Sequence, residues 1–135
     1  GTEGHAEGSE PSMISFNHYA YGAVIDWVYR NVLGLASRNP GYESAVLAPR
    51  PVVGIDSCKG SIETGYGNLA IDWKLEGDEF IASVNVPFGI TAELDLPVTE
   101  SSSVSVNEHS AKNGDKLTHG EYQIRVTNAS IVSTN

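Results

Sequence analysis

The chain has 135 residues, with 17 acidic side chains against 8 basic ones and a formal net charge of −9. That length suits one domain, or a small domain with an appendage, and it is enough to build a core without covalent staples. The acidic balance argues against nucleic acid and anionic membrane as partners, and the single cysteine, Cys58, excludes an intrachain disulfide. No apolar run approaches the ~20 residues that a membrane-spanning helix needs, and no secretory signal pattern opens the chain.

Residues 1–13 are rich in Gly, Glu and Ser and carry almost nothing apolar, so they read as a disordered leader. From Phe16 the apolar positions fall at 16, 19, 20, 23, 24, 27 and 28, the three-and-four stepping of a helical stripe. The pattern predicts a helix over residues 15–33. Ser15 stands where an N-cap hydroxyl accepts a bond from a first-turn N–H. Gly34 can end the helix in a left-handed conformation, and Pro40-Gly41 forbids its continuation. Tyr21, Ile25 and Tyr29 lie off the stripe, so the helix is apolar on more than one side and is expected to be covered on two faces.

Beyond Pro40 the period changes to two. Leu69, Ile71, Trp73 and Leu75 alternate with Ala70, Asp72, Lys74 and Glu76. Phe80, Ala82, Val84 and Val86 follow the Gly77-Asp78 turn, and Ile90, Ala92, Leu94 and Leu96 follow Phe88-Gly89. Val104, Val106, Tyr122, Ile124 and Val126 complete the pattern, with further turns at Asn113-Gly114 and His119-Gly120. Alternation of this kind marks strands with one buried and one wetter face. Short turns favour antiparallel neighbours, and two such sheets face to face make a sandwich. The expected fold is therefore mostly β: an antiparallel β-sandwich preceded by one amphipathic helix. Leu69, Ile71, Trp73, Phe80, Val84, Val86, Leu94 and Leu96 are the expected core.

Few residues carry an obvious chemistry. His18, between Asn17 and Tyr19 in the first helical turn, could offer a sugar a hydrogen bond beside a stacking face; the alternative is a satisfied, half-buried histidine. A glycosidase needs two carboxylates at a fixed separation. Glu3, Glu7 and Glu10 lie in the leader, Asp26 is mid-helix, and Glu93 and Asp95 share a wet strand face, so no pair has a signature. His5, His109 and His119 lack zinc-ligand spacing, and no metal or cofactor is expected. Gly65-Tyr66-Gly67 reads as a hairpin turn, not a phosphate cradle. Asn128-Ala129-Ser130 matches a glycosylation sequon, a pattern common by chance. Exposed aromatics could hold a polysaccharide, and Trp73 and Tyr66 are the candidates; Trp73, in line with Leu69 and Ile71, reads as core. Cys58 reads as a structural thiol.

The stretch Ser15-Phe16-Asn17-His18-Tyr19-Ala20-Tyr21-Gly22-Ala23-Val24, continued by Asp26-Trp27-Val28-Tyr29-Arg30, resembles the end of the catalytic domain in bacterial α-L-rhamnosidases of glycoside hydrolase family 78. Met13 fits the same pattern. Gly41-Tyr42, Ala48-Pro49-Arg50-Pro51, Glu63-Thr64-Gly65-Tyr66-Gly67, Asp72-Trp73 and Val86-Pro87-Phe88-Gly89-Ile90-Thr91-Ala92 follow in the order of that family's C-terminal sandwich. The resemblance runs from Met13 to about Val126.

The resemblance implies that residues 14–40 are the last helix of a truncated (α/α)6 barrel and residues 41–135 the C-terminal β-sandwich. It implies a parent enzyme that hydrolyses terminal α-L-rhamnose with inversion, a rhamnose-containing glycoside as its partner, and a sugar-contacting role for His18. The family's general base and general acid lie upstream of any residue present here, so no catalytic residue is assigned and the chain itself is expected to be structural and inactive. A carbohydrate-binding sandwich module is the alternative, and a standalone small hydrolase would need a carboxylate pair the sequence does not offer. Without a barrel, a helix face bearing Phe16, Tyr19 and Trp27 would invite self-association. The compartment, cytoplasmic or secreted in a bacterium, is left open.

Overall fold

The computed structural model of the chain describes residues 28–37 and 43–133. The expected leader, the part of the expected helix ahead of Val28, His18, His5, and the acids Glu3, Glu7, Glu10 and Asp26 lie outside the described residues. What is described begins with a π-helical segment, Val28–Leu33, followed by β1 (Leu35–Ser37), β2 (Ser44–Leu47), β3 (Ser57–Thr64), β4 (Gly67–Glu76) and β5 (Glu79–Val86). Then come β6 (Thr91–Leu94), β7 (Val104–Val106), β8 (His109–Ser110), β9 (Lys116–Leu117) and β10 (Gly120–Val126). β1 pairs with β2, so the sandwich already begins ahead of the boundary expected at residue 41.

The strands form a four-stranded sheet, β1-β2-β6-β9, and a six-stranded sheet, β3-β4-β5-β10-β7-β8. The alternation seen in the sequence survives into the fold. Leu69, Ile71 and Trp73 of β4 are buried while Asp72, Lys74 and Glu76 are exposed. Phe80, Val84, Val86, Leu94 and Leu96 are buried as expected, and both sheets feed one core, in which the Trp73 and Phe80 rings lie 5.6 Å apart. Each such side chain contributes about 1.5–3 kcal/mol on burial.

Turn chemistry explains the hairpins. Gly77, at φ +65°, opens the two-residue turn between Glu76 and Glu79, where a side chain would be strained. In the β3–β4 turn the Thr64 hydroxyl accepts from the Tyr66 N–H at 3.0 Å and donates to the Gly67 carbonyl at 2.6 Å.

One pair departs from the antiparallel pattern: β2 and β6 run parallel, Ser44–Leu47 against Thr91–Leu94. The chain leaves the first sheet after β2, builds β3, β4 and β5 in the second, and crosses back through Pro87–Gly89. A strand that returns this way has no tight hairpin to impose antiparallel pairing.

The helical segment is clamped into the sandwich. A helix end leaves carbonyls without partners. Here the Val32 carbonyl accepts from the Arg50 N–H at 3.3 Å and from the Trp73 indole N–H at 3.1 Å, and the Gly34 carbonyl accepts from the Ala48 N–H at 2.8 Å. Gly34 takes the left-handed turn expected of it, φ +93°. Arg50 also ties the clamp to the strand that follows β6: its guanidinium donates to the Asp95 carbonyl at 2.7 Å and pairs with the Asp95 carboxylate at 3.0 Å. The Ala48-Pro49-Arg50-Pro51 run thus acts as the bracket that seats Val32 and Leu33 in the core.

Candidate functional site

The loops at one end of the sandwich are locked to one another by aromatic side chains. Tyr66, in the β3–β4 turn, donates to the Glu43 carboxylate just ahead of β2 at 2.7 Å. Its ring covers Gly89, so closely that a Cβ there would lie 2.5 Å from the ring carbon Cδ1. Phe88, beside Gly89 in the β5–β6 turn, is 77% exposed and meets the His119 ring edge-on at 5.6 Å. Glu43, Tyr66, Phe88 and His119 therefore come from both sheets and meet at one surface. Acceptance by Glu43 holds the Tyr66 phenol above its ordinary pKa, because losing the proton would break that bond and set two negative charges together.

This arrangement offers an exposed ring edge and one carboxylate already engaged by a phenol. It contains no nucleophile with a base beside it and no pair of carboxylates facing across a cleft. The other acids are dispersed. Asp95 is held by Arg50, and Glu93 sits on β6 in register with Lys116 of β9. Among the described residues no group of three or more His, Cys, Asp or Glu is placed to hold a metal ion. His109 lies on β8, away from His119 in the β9–β10 turn.

The aromatic candidates separate clearly. Trp73 is fully buried and gives its N–H to the Val32 carbonyl, so it cannot serve as a stacking platform. Tyr66 is 44% exposed but its hydroxyl is occupied. Phe88 is the exposed ring that sequence reasoning passed over, having read Phe88-Gly89 as turn chemistry alone. The signal available was a large apolar residue between Pro87 and Gly89, where no strand face could bury it.

Cys58 is a core thiol. Burial pushes it up to about 12; the Lys59 backbone hydrogen bond works against this and nearby Asp72 adds to it. In the unfolded chain the thiol titrates near 9. The folded state holds its proton longer, so the stabilising contribution is complete below pH 9 and is lost as the pH rises from there towards 12. We expect a disulfide-exchange reagent at neutral pH to label Cys58 no faster than the chain unfolds, with full labelling in denaturant. Rapid labelling of the native chain would contradict the burial.

The described residues thus form a two-layer sandwich entered through a clamped helix end, with its acids dispersed or paired. The chain belongs to the bacterial α-L-rhamnosidase C-terminal domain family, which matches residues 34–111. An α-L-rhamnosidase of Formosa agariphila is 36% identical over 113 residues, 83% of this chain and 12% of that protein. The solved α-L-rhamnosidase of Streptomyces avermitilis complexed with L-rhamnose superposes with a TM-score of 0.67 at 29% identity, over 87% of this chain and 12% of that one. The α-L-rhamnosidase of Dictyoglumus thermophilum shares the fold, with a TM-score of 0.71 at 24% identity over 84% of this chain and 14% of that one. The chain thus spans about an eighth of the length of the relatives it matches.

Proposed function

We infer that this chain serves as the C-terminal β-sandwich of an enzyme that hydrolyses terminal α-L-rhamnose from glycosides with inversion, and that the sandwich itself is a structural brace without turnover. The observation that carries this reading is the clamp. Val32 and Leu33 are sealed into the core, and the helix-end carbonyls are satisfied by Ala48, Arg50 and Trp73. A helical body attached ahead of Val28 would be held to the sandwich through the shared core as well as through a covalent link.

Inversion requires an acid that protonates the leaving oxygen and a base that activates water on the opposite face of the sugar, with room for that water between them. The engaged carboxylates Glu43 and Asp95 do not supply such a pair. In this reading His18 contacts the sugar in the longer enzyme. A hydrogen bond lost there costs about 1–3 kcal/mol, or roughly five- to two-hundredfold in kcat/KM.

Two assays with an aryl α-L-rhamnoside test the reading. The 135-residue chain is expected to show no turnover above the uncatalysed rate, and the longer rhamnosidase carrying His18→Ala is expected to lose kcat/KM within that range. Robust hydrolysis by the chain alone would overturn the structural role, and an unaffected His18→Ala enzyme would remove His18 from the sugar site. The reading of the sandwich as a polysaccharide binder on an aromatic face loses Trp73 to the core.

A further inference from the structure

The outer face of the six-stranded sheet carries a shallow groove with polar side chains along it. Strand register sets Lys59, Asp72, Ser83 and Gln123 in one row across β3, β4, β5 and β10. The next row is Ser61, Ala70, Asn85 and Glu121. Small side chains at Ser61, Ala70 and Ser83 keep the floor low, and the depression holds about 340 Å³. Strand spacing makes the two rows about 14 Å long and about 7 Å apart, a footprint for two or three pyranose rings.

The hydrogen-bonding state of the groove decides what would fit. Gln123 donates its Nε2 to the Ser83 hydroxyl at 2.7 Å, and Asn85 donates its Nδ2 to the Asn68 carbonyl at 2.9 Å. Both carboxamides are held by their N–H groups, which leaves their oxygens as free acceptors and the Ser83 hydroxyl proton as a free donor. Lys59 and Asp72 stand opposite each other in register, yet neither forms an ion pair among the described residues. Towards the β4–β5 turn the same face is closed: Arg125 pairs with Glu79 at 2.6 Å and Lys74 with Glu76 at 3.0 Å. In the groove, by contrast, the charged side chains form no ion pair among the described residues. The groove's polar groups are mostly acceptors, namely Asp72, Glu121, Asn85 Oδ1 and Gln123 Oε1, with Lys59 and Ser83 as donors.

A ligand dense in hydroxyl donors satisfies such an array. An anion would meet Asp72, Glu121 and a chain of net charge −9. A metal ion would meet Lys59. From the groove's size and its surplus of acceptors we propose that the outer face of β3, β4, β5 and β10 binds a neutral oligosaccharide, with the carboxylate of Asp72 and the carboxamide oxygens of Asn85 and Gln123 accepting from its hydroxyls. Tyr122 is the aromatic residue lining the groove, but it packs against the core and gives its hydroxyl to the Thr118 carbonyl, so it offers no stacking platform and binding is weak, in roughly the millimolar range. The site is independent of turnover: it holds the chain near a glycan whether or not the catalytic reading above stands.

The test is a titration of the 135-residue chain, followed by backbone amide NMR, with L-rhamnose, cellotetraose, mannotetraose and, as the anionic counterpart, tetragalacturonate. The expected result is that at least one neutral sugar shifts amides around Ala70–Asp72, Ser83–Asn85 and Glu121–Gln123, with tetragalacturonate at least tenfold weaker. Asp72→Ala and Asn85→Ala change outward-facing side chains, so the spectrum should keep its native dispersion while affinity falls threefold or more in each. Phe88→Ala should leave it unchanged. Absence of shifts with every neutral sugar, shifts centred on Tyr66 and Phe88, or tighter binding of tetragalacturonate would each overturn the proposal.

Discussion

Gly34→Ala is expected to destabilise the chain by about 3 kcal/mol or more, although it adds a single methyl group. Gly34 holds φ +93°, a left-handed conformation that costs an L-residue roughly 1–2 kcal/mol. The larger cost is steric. A Cβ on Gly34 would lie 2.2 Å from the Pro49 nitrogen, 2.4 Å from the Pro49 Cα and 2.5 Å from the Ala48 carbonyl carbon. All three are backbone atoms in the bracket that satisfies the helix end, so none can swing aside as a side chain would. Relieving the clash must separate Gly34 from Ala48 and strain the bonds from Ala48 and Arg50 to the Gly34 and Val32 carbonyls. Overpacking of this kind adds about 1–3 kcal/mol. Against a total stability of about 5–15 kcal/mol this is a large share. Gly77→Ala is the control: its φ is +65° but nothing lies within 4 Å of the added Cβ, so it carries the conformational cost alone. Urea unfolding of the two variants separates the terms. Equal losses in the two would show that the bracket does not press on Gly34.

The elements that the sequence made legible are those whose signal is local. Period-two alternation in β4 and β5 reports which face each residue takes, and the burial of Leu69, Ile71, Trp73, Phe80 and Val84 follows it. Gly77 and Gly34 were legible because a positive φ has a residue signature. The parallel pairing of β2 with β6 was not, since Ser44 and Thr91 are brought together by a crossover between sheets and nothing in either strand records the partner. The β7–β8 turn was equally hidden. Asn107 and Glu108 adopt φ of +50° and +69° without a glycine, and Asn107 is held there by the bond its side-chain oxygen accepts from the Gln123 N–H at 2.8 Å. The groove on the outer sheet escaped for another reason. Outward polar residues look alike in sequence whether their hydrogen bonds point to water or are arranged by neighbours, and only the side-chain contacts show that Asn85 and Gln123 are held by their N–H groups while Arg125 and Lys74 are already paired.

Trp73 is the residue through which core packing and the helix clamp become one structure, and a pair of substitutions separates its two contributions. Trp73→Ala is expected to cost about 3–5 kcal/mol, the usual range for emptying a large aromatic site, because the side chain is fully buried and its loss leaves Phe80 without the ring 5.6 Å away. Trp73→Phe keeps an apolar ring but deletes the indole N–H. The Val32 carbonyl then keeps only the longer bond from the Arg50 N–H, at 3.3 Å in place of a second donor at 3.1 Å. Losing one of the two hydrogen bonds to this carbonyl costs about 0.5–1.5 kcal/mol, to which the smaller ring adds a packing defect. The distinctive consequence lies in where the loosening appears. If the indole N–H seats the helical segment, Trp73→Phe should speed amide exchange at Arg50 and Ala48, whose N–H groups bond to the helix-end carbonyls, more than at the β4–β5 ladder around Ile71 and Val84. Hydrogen exchange measured residue by residue decides this. Uniform loss of protection across both regions would assign Trp73 to the core alone, and the clamp would then rest on Arg50 and Ala48.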